Sequence, residues 1–374
     1  IIFILVIFII FMKLVCPIAG VGKRLQPFTF SKPKAFLKIA GKVLIEHILI
    51  KLKKAFPRGT ELCFIVGYKK RHIKEYLTDH FSDYFNLHYI EQQPMGYSAG
   101  TPYFSGLGDA ILLAQDFVKN DDCFIFLSDR LPLEDYTSII LNFHQEECDG
   151  IFNVKRVDHP EYYGVLVLDN NGKYLTKIVE KPKDFISDYA ISGAYLFSKN
   201  ITPRIFELLE EQSKIPIENG QEHQFTPVIE QLIEEGAKFT INEMQGEILD
   251  FGRPESLLDG NRHLLTELKL KNPLYEDLVN SGNITNTRII PPVSIGKNTE
   301  ISDSVIGPNV SIGDDIIIDR CILSESVIGD GSHLKKLISS DSIIGDYSIL
   351  EDLIKNAITI GDSSYITTSN MKSF

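Results

Sequence analysis

Apolar positions in the first part of the chain follow two alternating periods. Short, largely apolar runs that are typical of buried strands occur at 14–19, 61–68, 87–90 and 122–127. Between them, apolar residues recur every three or four positions, as in helices, over 43–56 and 69–81. Strands that alternate with helices predict a mostly parallel sheet with helices on both faces. Such a sheet binds its ligands at the carboxyl ends of its strands.

The pattern after residue 149 predicts a second group of strands. Two of them flank the polar turn 169–172, so they predict a hairpin. The predicted elements in this stretch are strands at 149–154, 161–168, 177–182 and 189–197, a helix that follows Pro227 and runs through Ile233, and a helix at 256–270.

From Ile289 onward the chain repeats itself. Apolar residues recur in steps of six, six and four, a period of 16 residues. Hexapeptide repeats predict a β-helix of triangular coils in which each of these apolar residues points into a shared core. We expect Ile289, Ile295 and Ile301 to form a capping coil, and the domain to serve structure or oligomerisation. His333 would be the base if the domain were an acyltransferase. The repeated positions are Ile306, Ile312, Ile318, Ile322, Ile328, Leu334, Ile338, Ile344, Leu350, Ile354, Ile360 and Ile366.

Composition and charge narrow the class of protein. The chain has 374 residues, 44% apolar and 24% charged, enough for a large core and two domains. A net charge of −12 argues against nucleic acid as a partner, because such binders need a basic surface. The five scattered cysteines lack metal-binding spacing and predict buried reduced thiols, as in cytosol.

The first eleven residues are all apolar, and Met12 and Lys13 follow them. This run is shorter than the roughly 20 residues that span a bilayer, and it lacks the basic lead-in of a signal peptide. We expect residues 1–11 to lie upstream of a native start at Met12. A membrane anchor is the rival interpretation, and N-terminal sequencing of the native protein decides between them.

The stretch that follows the first apolar run combines glycines with fixed cations. Gly20 and Gly22 allow main-chain N–H groups to approach an anion, and Arg24, Lys32 and Lys34 add positive charge. A dinucleotide fingerprint and a P-loop are both excluded by the spacing. The pattern, Gly-x-Gly-x-Arg-Leu-x-Pro followed by Lys-Pro-Lys, resembles the signature of the sugar-1-phosphate nucleotidyltransferases, or NDP-sugar pyrophosphorylases.

This resemblance implies a fold and a domain plan. It implies an α/β, Rossmann-like (GT-A-like) nucleotidyltransferase domain over 12–262, with a helical linker over 263–287. A left-handed parallel β-helix is expected over 288–374. The whole pattern is similar to glucose-1-phosphate thymidylyltransferases that carry a β-helix tail.

The resemblance also implies roles for residues around the nucleotide. Arg24 would bind the pyrophosphate leaving group and Lys34 would neutralise developing charge. Gln92 and Gly106 would meet the base, although the intervening loop 95–105 is longer than the family pattern. Residues expected around the triphosphate are Ala19, Gly20, Gly22, Lys23 and Asp129.

Two further sets of residues follow from the same resemblance. Asp129 and Asp250 match the carboxylates that hold Mg²⁺, a cation that prefers oxygen ligands. The sugar phosphate would be bound by Gly164, Glu180, Lys181 and Gly193, with Lys181 as a catalytic residue. The sequence departs from the family at Ser128 and at Phe225-Thr226-Pro227, and His223 is expected at the surface or the rim of the pocket.

The expected reaction joins an NTP and a sugar 1-phosphate to give an NDP-sugar and pyrophosphate, without a covalent enzyme intermediate. The resemblance favours dTTP or UTP with glucose 1-phosphate, and leaves GTP with mannose 1-phosphate open. A regulatory subunit that binds sugar nucleotides without turning them over is the alternative. We expect a cytoplasmic homo-oligomer with small-molecule substrates and no stable membrane contact.

Overall fold

The computed structural model describes residues 12–217, 221–271 and 283–368. The stretch 1–11 and part of the expected linker, 272–282, lie outside the described residues. The described residues form two compact units, one made of 12–21 and 47–248 and the other of 22–46 and 249–368. Within them, no helix has both the length and the apolar character that crossing a membrane requires.

The predicted elements up to residue 271 appear in the predicted order. The apolar pattern did not predict four further helices, at Leu107–Leu112, Gln115–Val118, Thr137–Gln145 and Thr202–Ser213, nor several short strands. The helices are α1 (Leu44–Ala55), α2 (Lys70–Phe81), α3 (Leu107–Leu112), α4 (Gln115–Val118), α5 (Thr137–Gln145), α6 (Thr202–Ser213), α7 (Thr226–Glu234) and α8 (Pro254–Lys271). The strands are β1 (Lys13–Pro17), β2 (Lys38–Ile39), β3 (Lys42–Val43), β4 (Glu61–Val66), β5 (Asn86–Glu91), β6 (Gly96–Ser98), β7 (Thr101–Tyr103), β8 (Cys123–Phe126), β9 (Arg130–Pro132), β10 (Gly150–Arg156), β11 (Gly164–Leu168), β12 (Leu175–Glu180), β13 (Tyr189–Phe197), β14 (Phe239–Glu243) and β15 (Ile248–Asp250).

The first unit is built on one sheet, whose described strands run in the order β12-β11-β13-β8-β1-β4-β5. Strands β8, β1, β4 and β5 are parallel, and Val15 pairs with both Cys63 and Ile125. The segments that follow these strands therefore leave the sheet at one edge, which confirms the predicted parallel sheet. We call it the carboxyl edge.

The other half of the sheet is mostly antiparallel but reaches the same edge. Strand β13 is antiparallel to β8, and Ala194 pairs with Phe126 at the end of β8. The predicted hairpin is present as β11 and β12, and it pairs with β13 through Val165 and Ala190. The start of β11, the end of β12 and the start of β13 thus lie near the carboxyl edge.

Aromatic rings fill the core of the first unit behind this edge. Phe152 packs edge-on against Phe197 and Phe239, with ring centroids 5.8 and 5.6 Å apart. Phe225 is 3% exposed and packs edge-on against Phe197 and Tyr195 at 5.8 Å. Phe225, where the sequence departs from the family pattern, is therefore a core residue that anchors the start of α7.

The second unit contains a parallel β-helix, as predicted. Its strands form three ladders, each with β-strand pairing between successive coils. The strands are β16 (Asn283–Thr285), β17 (Arg288–Ile289), β18 (Val293–Ile295), β19 (Glu300–Ser302), β20 (Val305–Ile306), β21 (Val310–Ile312), β22 (Ile317–Asp319), β23 (Ile322–Leu323), β24 (Val327–Ile328), β25 (His333–Ser339), β26 (Ile343–Ile344), β27 (Ile349–Ile354), β28 (Thr359–Ile360) and β29 (Tyr365–Thr367).

The coil length differs slightly from the predicted period. Register partners are 16 residues apart from Ile317 through His333 to Ile349, but Asn283, Glu300 and Ile317 are 17 apart. Ile306, the first predicted repeat position, pairs with Leu323. The extra residue falls at the corner after β20, because Ile306 pairs with Leu323 while Ser311 pairs with Val327.

Three of the predicted core positions point outward. Ile322, Ile338 and Ile354 are 50%, 39% and 80% exposed, so the expectation that they fill the core is wrong. They stack on one another along the outside of the coils, and buried Leu323 and Leu337 fill the interior instead. Neighbouring residues of a strand face opposite sides, and the four-residue step left open which neighbour faces inward.

Candidate functional site

The segment after β1 is held at the carboxyl edge by main-chain hydrogen bonds. The N–H of Ile18 donates to the carbonyl of Ile65 at 2.9 Å, and the N–H of Tyr68 donates to the carbonyl of Ala19 at 3.0 Å. A Cβ at Gly67 would lie 2.8 Å from Ala19 Cβ, so glycine permits this close approach. Gly20 is exposed, and no atom lies within 4 Å of where its Cβ would be. Its main chain is open to a ligand.

Asp129 lies at the same edge. The residue after β8, Leu127, donates its N–H to the carbonyl of Gly193 at 2.8 Å, and Asp129 follows two residues later. Burial, together with the nearby Asp129 carboxylate, raises the pKa of the Cys16 thiol well above its ordinary value. This electrostatic effect places the Asp129 charge close to the end of β1.

Gly164, Glu180 and Lys181 form a second group at this edge. Gly164 pairs with Glu180 across β11 and β12, and a Cβ at Gly164 would lie 2.9 Å from Glu180 Oε2. Lys181 donates its main-chain N–H to the carbonyl of Tyr163 at 2.9 Å. Its Nζ lies 3.5 Å from Glu180 Oε1. The glycine leaves the space that the glutamate side chain occupies.

Gly193 opens space for a residue that the sequence analysis did not select. Its φ is +81°, and a Cβ there would lie 2.9 Å from Arg130 Cγ. The Arg130 guanidinium lies over the Tyr163 ring, 4.9 Å from its centroid. Arg130 follows Asp129 and Tyr163 precedes Gly164. Their positions next to these two motif residues were the only sequence signal that could have identified them.

Tyr195 links these groups electrostatically. Burial raises the pKa of its hydroxyl; the charges of Glu180 and Asp129 raise it further, and Arg130 opposes them. The charges of Asp129, Arg130 and Glu180 thus all act on the one buried hydroxyl of Tyr195.

The residues predicted to contact the base lie near the end of β5, the last strand in the described order of the sheet. Gln92 is 5% exposed, and its Nε2 donates to the carbonyl of Gly106 at 3.2 Å and to Ser105 Oγ at 3.3 Å. Gly106 has a φ of +119°, and a Cβ there would lie 2.6 Å from the carbonyl oxygen of His223. The glycine is required by this main-chain contact. The structure thus brings Gln92 and Gly106 together.

His223, which was expected at the surface or the rim of the pocket, is partly buried. Its ring Nδ1 lies 2.9 Å from Asp109 Oδ1, and its Nε2 lies 3.0 Å from the carbonyl of Ile215. Its side chain is 10% exposed. The loop 95–105 forms a hairpin of β6 and β7, and Tyr97 on β6 is exposed.

The second unit carries the remaining predicted residues in a loop and at the end of β15. Gly22 has a φ of +72°, and its carbonyl accepts from Thr29 Oγ1 at 3.0 Å. A Cβ at Gly22 would lie 3.0 Å from Lys34 Cβ. Lys23 and Arg24 begin the short 3₁₀ turn Lys23–Leu25. Gly22 thus allows the chain to fold back beside Lys34.

Arg24 and Asp250 lie on either side of one glycine. A Cβ at Gly252 would lie 3.0 Å from Asp250 Oδ1 and 3.7 Å from Arg24 Nη2. The N–H of Gly252 donates to Asp250 Oδ1 at 2.9 Å, which orients the carboxylate. The second unit therefore gathers a guanidinium, a carboxylate and the Lys34 segment.

The described residues contain no group of three or more His, Cys, Asp and Glu side chains that could hold a metal ion by themselves. The two predicted ligands divide between the units, with Asp129 in the first and Asp250 in the second. Both supply hard carboxylate oxygens, the donor type that suits Mg²⁺ when substrate phosphates complete its shell.

Known proteins resemble the chain over most of its length. GlmU of Methanococcus maripaludis, described as a bifunctional protein, is 33% identical over 294 residues, covering 78% of this chain and 61% of that protein. The glucose-1-phosphate thymidylyltransferase of Streptomyces antibioticus is 29% identical over 329 residues, covering 85% and 87% of the two chains.

A solved structure shares the fold. A UDP-glucose pyrophosphorylase complexed with UDP-glucose superimposes with a TM-score of 0.57 and 23% identity, covering 68% of this chain and 99% of that one. The family described as nucleotidyl transferase matches residues 18–267, well over half of the chain. The chain therefore belongs to the nucleotidyl transferase family, among the sugar-1-phosphate nucleotidyltransferases.

Proposed function

We propose that this protein transfers a nucleotidyl group from an NTP to a sugar 1-phosphate and releases pyrophosphate, with dTTP or UTP and glucose 1-phosphate as its substrates. The observation that carries the proposal is the pair Glu180 and Lys181, which lies opposite Gly164 at the edge that also holds Asp129. A carboxylate beside an ammonium group suits a ligand that has both hydroxyls and a phosphate. Similarity to a glucose-1-phosphate thymidylyltransferase supports the choice of substrates.

In this reaction a phosphate oxygen of the sugar 1-phosphate attacks the α-phosphorus of the NTP. The new P–O bond forms in line with the α–β bridging bond, which breaks as pyrophosphate leaves. Lys181 holds the attacking phosphate, and Glu180 accepts hydrogen bonds from sugar hydroxyls. Such a transfer needs no covalent enzyme intermediate, so the protein contributes position and charge stabilisation.

The cations of the second unit act on the triphosphate. Arg24 binds the pyrophosphate leaving group, for which its forked donors are suited. Lys34 neutralises charge that develops on the α-phosphate. The main-chain N–H groups around Gly20 and Gly22, together with Ala19 and Lys23, cradle the phosphates. Gln92 and Gly106 border the base.

Asp129 and Asp250 are the residues that would hold Mg²⁺. When bound, the ion would neutralise phosphate charge and help to orient the triphosphate. Asp250 is already oriented by the N–H of Gly252. Asp129 lies three residues after the buried strand β8, which limits its movement.

The test is release of pyrophosphate with Mg²⁺ across a grid of dTTP, UTP, GTP, CTP and ATP against the 1-phosphates of glucose, mannose and N-acetylglucosamine. We expect turnover with dTTP or UTP and glucose 1-phosphate, and loss of that turnover in Lys181→Ala. Activity only with GTP and mannose 1-phosphate would correct the substrates. If no substrate pair released pyrophosphate but the protein bound an NDP-sugar, the alternative of a non-catalytic regulatory subunit would be favoured.

A further inference from the structure

Four aspartates of the β-helix form a column that is visible in the sequence as repeated Ile-Gly-Asp. Each aspartate accepts a main-chain N–H from the preceding coil through Oδ1. The N–H of Asp314 donates to Asp330 at 2.8 Å, that of Asp330 to Asp346 at 3.1 Å, and that of Asp346 to Asp362 at 2.8 Å. We call these four residues the aspartate column. Parallel coils stack about 4.8 Å apart, so four carboxylates in a row repel one another unless cations lie between them.

Two lysines from a distant part of the chain offset half of the negative charge of the column. Lys38 Nζ lies 2.6 Å from Asp314 Oδ2 and 3.0 Å from Asp330 Oδ1. Lys32 pairs with Asp346 and lies 3.3 Å from Asp362 Oδ2. The Lys32 and Asp362 side chains are only 17% and 14% exposed. Each lysine thus bridges two successive coils.

The aspartate column also shifts the pKa of Lys38. Burial lowers the pKa of Lys38, but hydrogen bonding to Asp314 and the charge of Asp330 outweigh burial, and the pKa is raised overall. The lysine is therefore held in its charged form. A charged Lys38 can maintain its ion pairs with Asp314 and Asp330.

The residues on either side of Lys32 and Lys38 contact the β-helix near both ends of the aspartate column. A Cβ at Gly361 would lie 2.9 Å from Pro27 Cβ, so this glycine permits contact with Pro27. Ser31 donates its hydroxyl to Asp362. At the other end, the N–H of Ala40 lies 3.0 Å from Ser311 Oγ. We call residues 22–40 the basic loop.

The buried side chain of Asn261 on α8 closes this end. Its Oδ1 accepts from the N–H of Ala40 at 3.0 Å and from Ser311 Oγ at 2.5 Å, and its Nδ2 donates to the carbonyl of Asn309 at 3.2 Å. The basic loop is therefore fixed to the β-helix at Pro27, Lys32, Lys38 and Ala40. Arg24 and Lys34 belong to the same loop.

We propose that Lys32 and Lys38 are positioning residues that dock the basic loop on the aspartate column, so that the β-helix sets the conformation in which Arg24 and Lys34 meet the NTP phosphates. This inference rests on the function proposed above for Arg24 and Lys34. It gives the β-helix a direct part in the reaction, through a loop that ends more than 240 residues before the first β-helix strand.

Turnover in the full-length protein distinguishes positioning from direct contact with substrate. Lys32→Ala and the double variant Asp346→Asn/Asp362→Asn should each lower kcat, by roughly 10- to 100-fold for a misplaced catalytic group. The triple variant should be no worse than either, because both changes undock the same loop. If Lys32 instead bound phosphate directly, the double variant would keep its turnover while Lys32→Ala lost it, and this result would overturn the proposal.

Hydrogen exchange gives a readout that does not depend on activity. Amides of residues 27–40 should exchange faster in Lys32→Ala and Lys38→Ala than in the wild type. Lys336→Ala is the matched control, since Lys336 pairs with Asp352 at 3.0 Å elsewhere on the β-helix. Faster exchange in a protein with no turnover would reject the proposed function but keep the docking. Unchanged exchange would reject the docking itself.

Discussion

His223 Nδ1 lies 2.9 Å from a carboxylate oxygen of Asp109, joining segments 114 residues apart. The main chain reinforces this contact, because the N–H of His223 donates to the carbonyl of Ser105 at 2.7 Å and that of Gly108 donates to the carbonyl of His223 at 2.8 Å. Gln92 is hydrogen bonded to the same Ser105–Gly106 segment. His223 therefore supports the segment against which the base is expected to bind.

Replacing His223 by alanine should weaken this support. We expect a loss of about 1–3 kcal/mol in the free energy of unfolding, since the partly buried Asp109 carboxylate loses its partner. The KM for the NTP should rise more than that for the sugar 1-phosphate. Urea denaturation and steady-state kinetics measure both effects. His159→Ala, at a side chain that is 72% exposed, is the control, and equal behaviour of the two variants would refute the supporting role.

Gly164→Ala should impair the sugar-phosphate side of the site. The new Cβ would lie 2.9 Å from Glu180 Oε2 and 3.1 Å from Ile191 Cδ1, so the glutamate must move. We expect the KM for the sugar 1-phosphate to rise about tenfold, equivalent to about 1.4 kcal/mol, with little change for the NTP. Gly246→Ala is the matched control, because its nearest neighbour is 3.5 Å away. A rise in both KM values would indicate a general distortion.

Asp129→Asn and Asp250→Asn should each lower turnover by orders of magnitude while leaving the far-ultraviolet circular dichroism unchanged. An amide is a much weaker ligand for Mg²⁺ than a carboxylate, and it leaves phosphate charge unbalanced. Removing Mg²⁺ with EDTA should abolish turnover in the wild type. Asp121→Asn, at a side chain that is 40% exposed, serves as the control. If either variant turned over substrate at a near-normal rate at saturating Mg²⁺, the replaced aspartate would not be a metal ligand.

The aspartate column should show two opposite dependences of stability on pH. Burial raises the pKa of Asp314, but the hydrogen bonds from Lys38 and from the N–H of Lys297, together with the charges of both lysines, outweigh burial and lower the pKa overall. Its charge therefore stabilises the fold above the unfolded pKa, and this stability is lost as the pH falls through the folded pKa. Burial raises the pKa of Asp346, so its charge costs stability at neutral pH and that cost disappears on acidification.

At pH 7, Asp314→Asn should therefore lower the Tm more than Asp346→Asn does. The difference in Tm between the wild type and Asp314→Asn should shrink as the pH falls below the ordinary pKa of an aspartate and the wild-type carboxyl gains its proton. Thermal unfolding of both variants at several pH values tests this. A difference that stays constant with pH would show that the Asp314 charge contributes nothing to stability.

The cysteines should be unreactive in the folded protein. Burial raises the pKa of Cys63 to about 12 and that of Cys321 to about 11, so little thiolate exists near neutral pH. Cys148 is partly exposed and its pKa is raised to about 11. Iodoacetamide at about pH 8 should add slowly, first at Cys148, and reach all five thiols only in urea. Intact mass measures the adducts. Rapid labelling in Cys148→Ser would contradict the buried assignment.

The features that local sequence patterns determine were the ones that could be predicted. The buried run before Asp129, the glycine strand around Gly193 and the hairpin before Lys181 each carry their own periodicity, and parallel pairing brings their ends to one edge. The partners of these side chains were less predictable. Arg130 lies over Tyr163 because of the register of β11 and β13, which periodicity does not specify.

Long-range charge pairing could not be inferred from the sequence. Lys32 looked like part of a phosphate-binding stretch, yet it pairs with carboxylates that recur in a repeat more than 300 residues later. Nothing local in the Ile-Gly-Asp repeats indicates that their carboxylates accept hydrogen bonds from lysines. Ile322 was wrongly predicted to lie in the core. Its neighbour Leu323 is equally apolar, and only the coil geometry decides which of the two is buried.

The docking of the basic loop also orders events during synthesis. Lys32 leaves the ribosome 314 residues before Asp346. At elongation rates of about 5–20 residues per second, it waits roughly 15 to 60 s for its partner. Until then the loop has no surface on which to settle, so the nascent chain cannot assemble Arg24 and Lys34 in their final arrangement. The later coils of the β-helix thus complete a segment that is translated long before them.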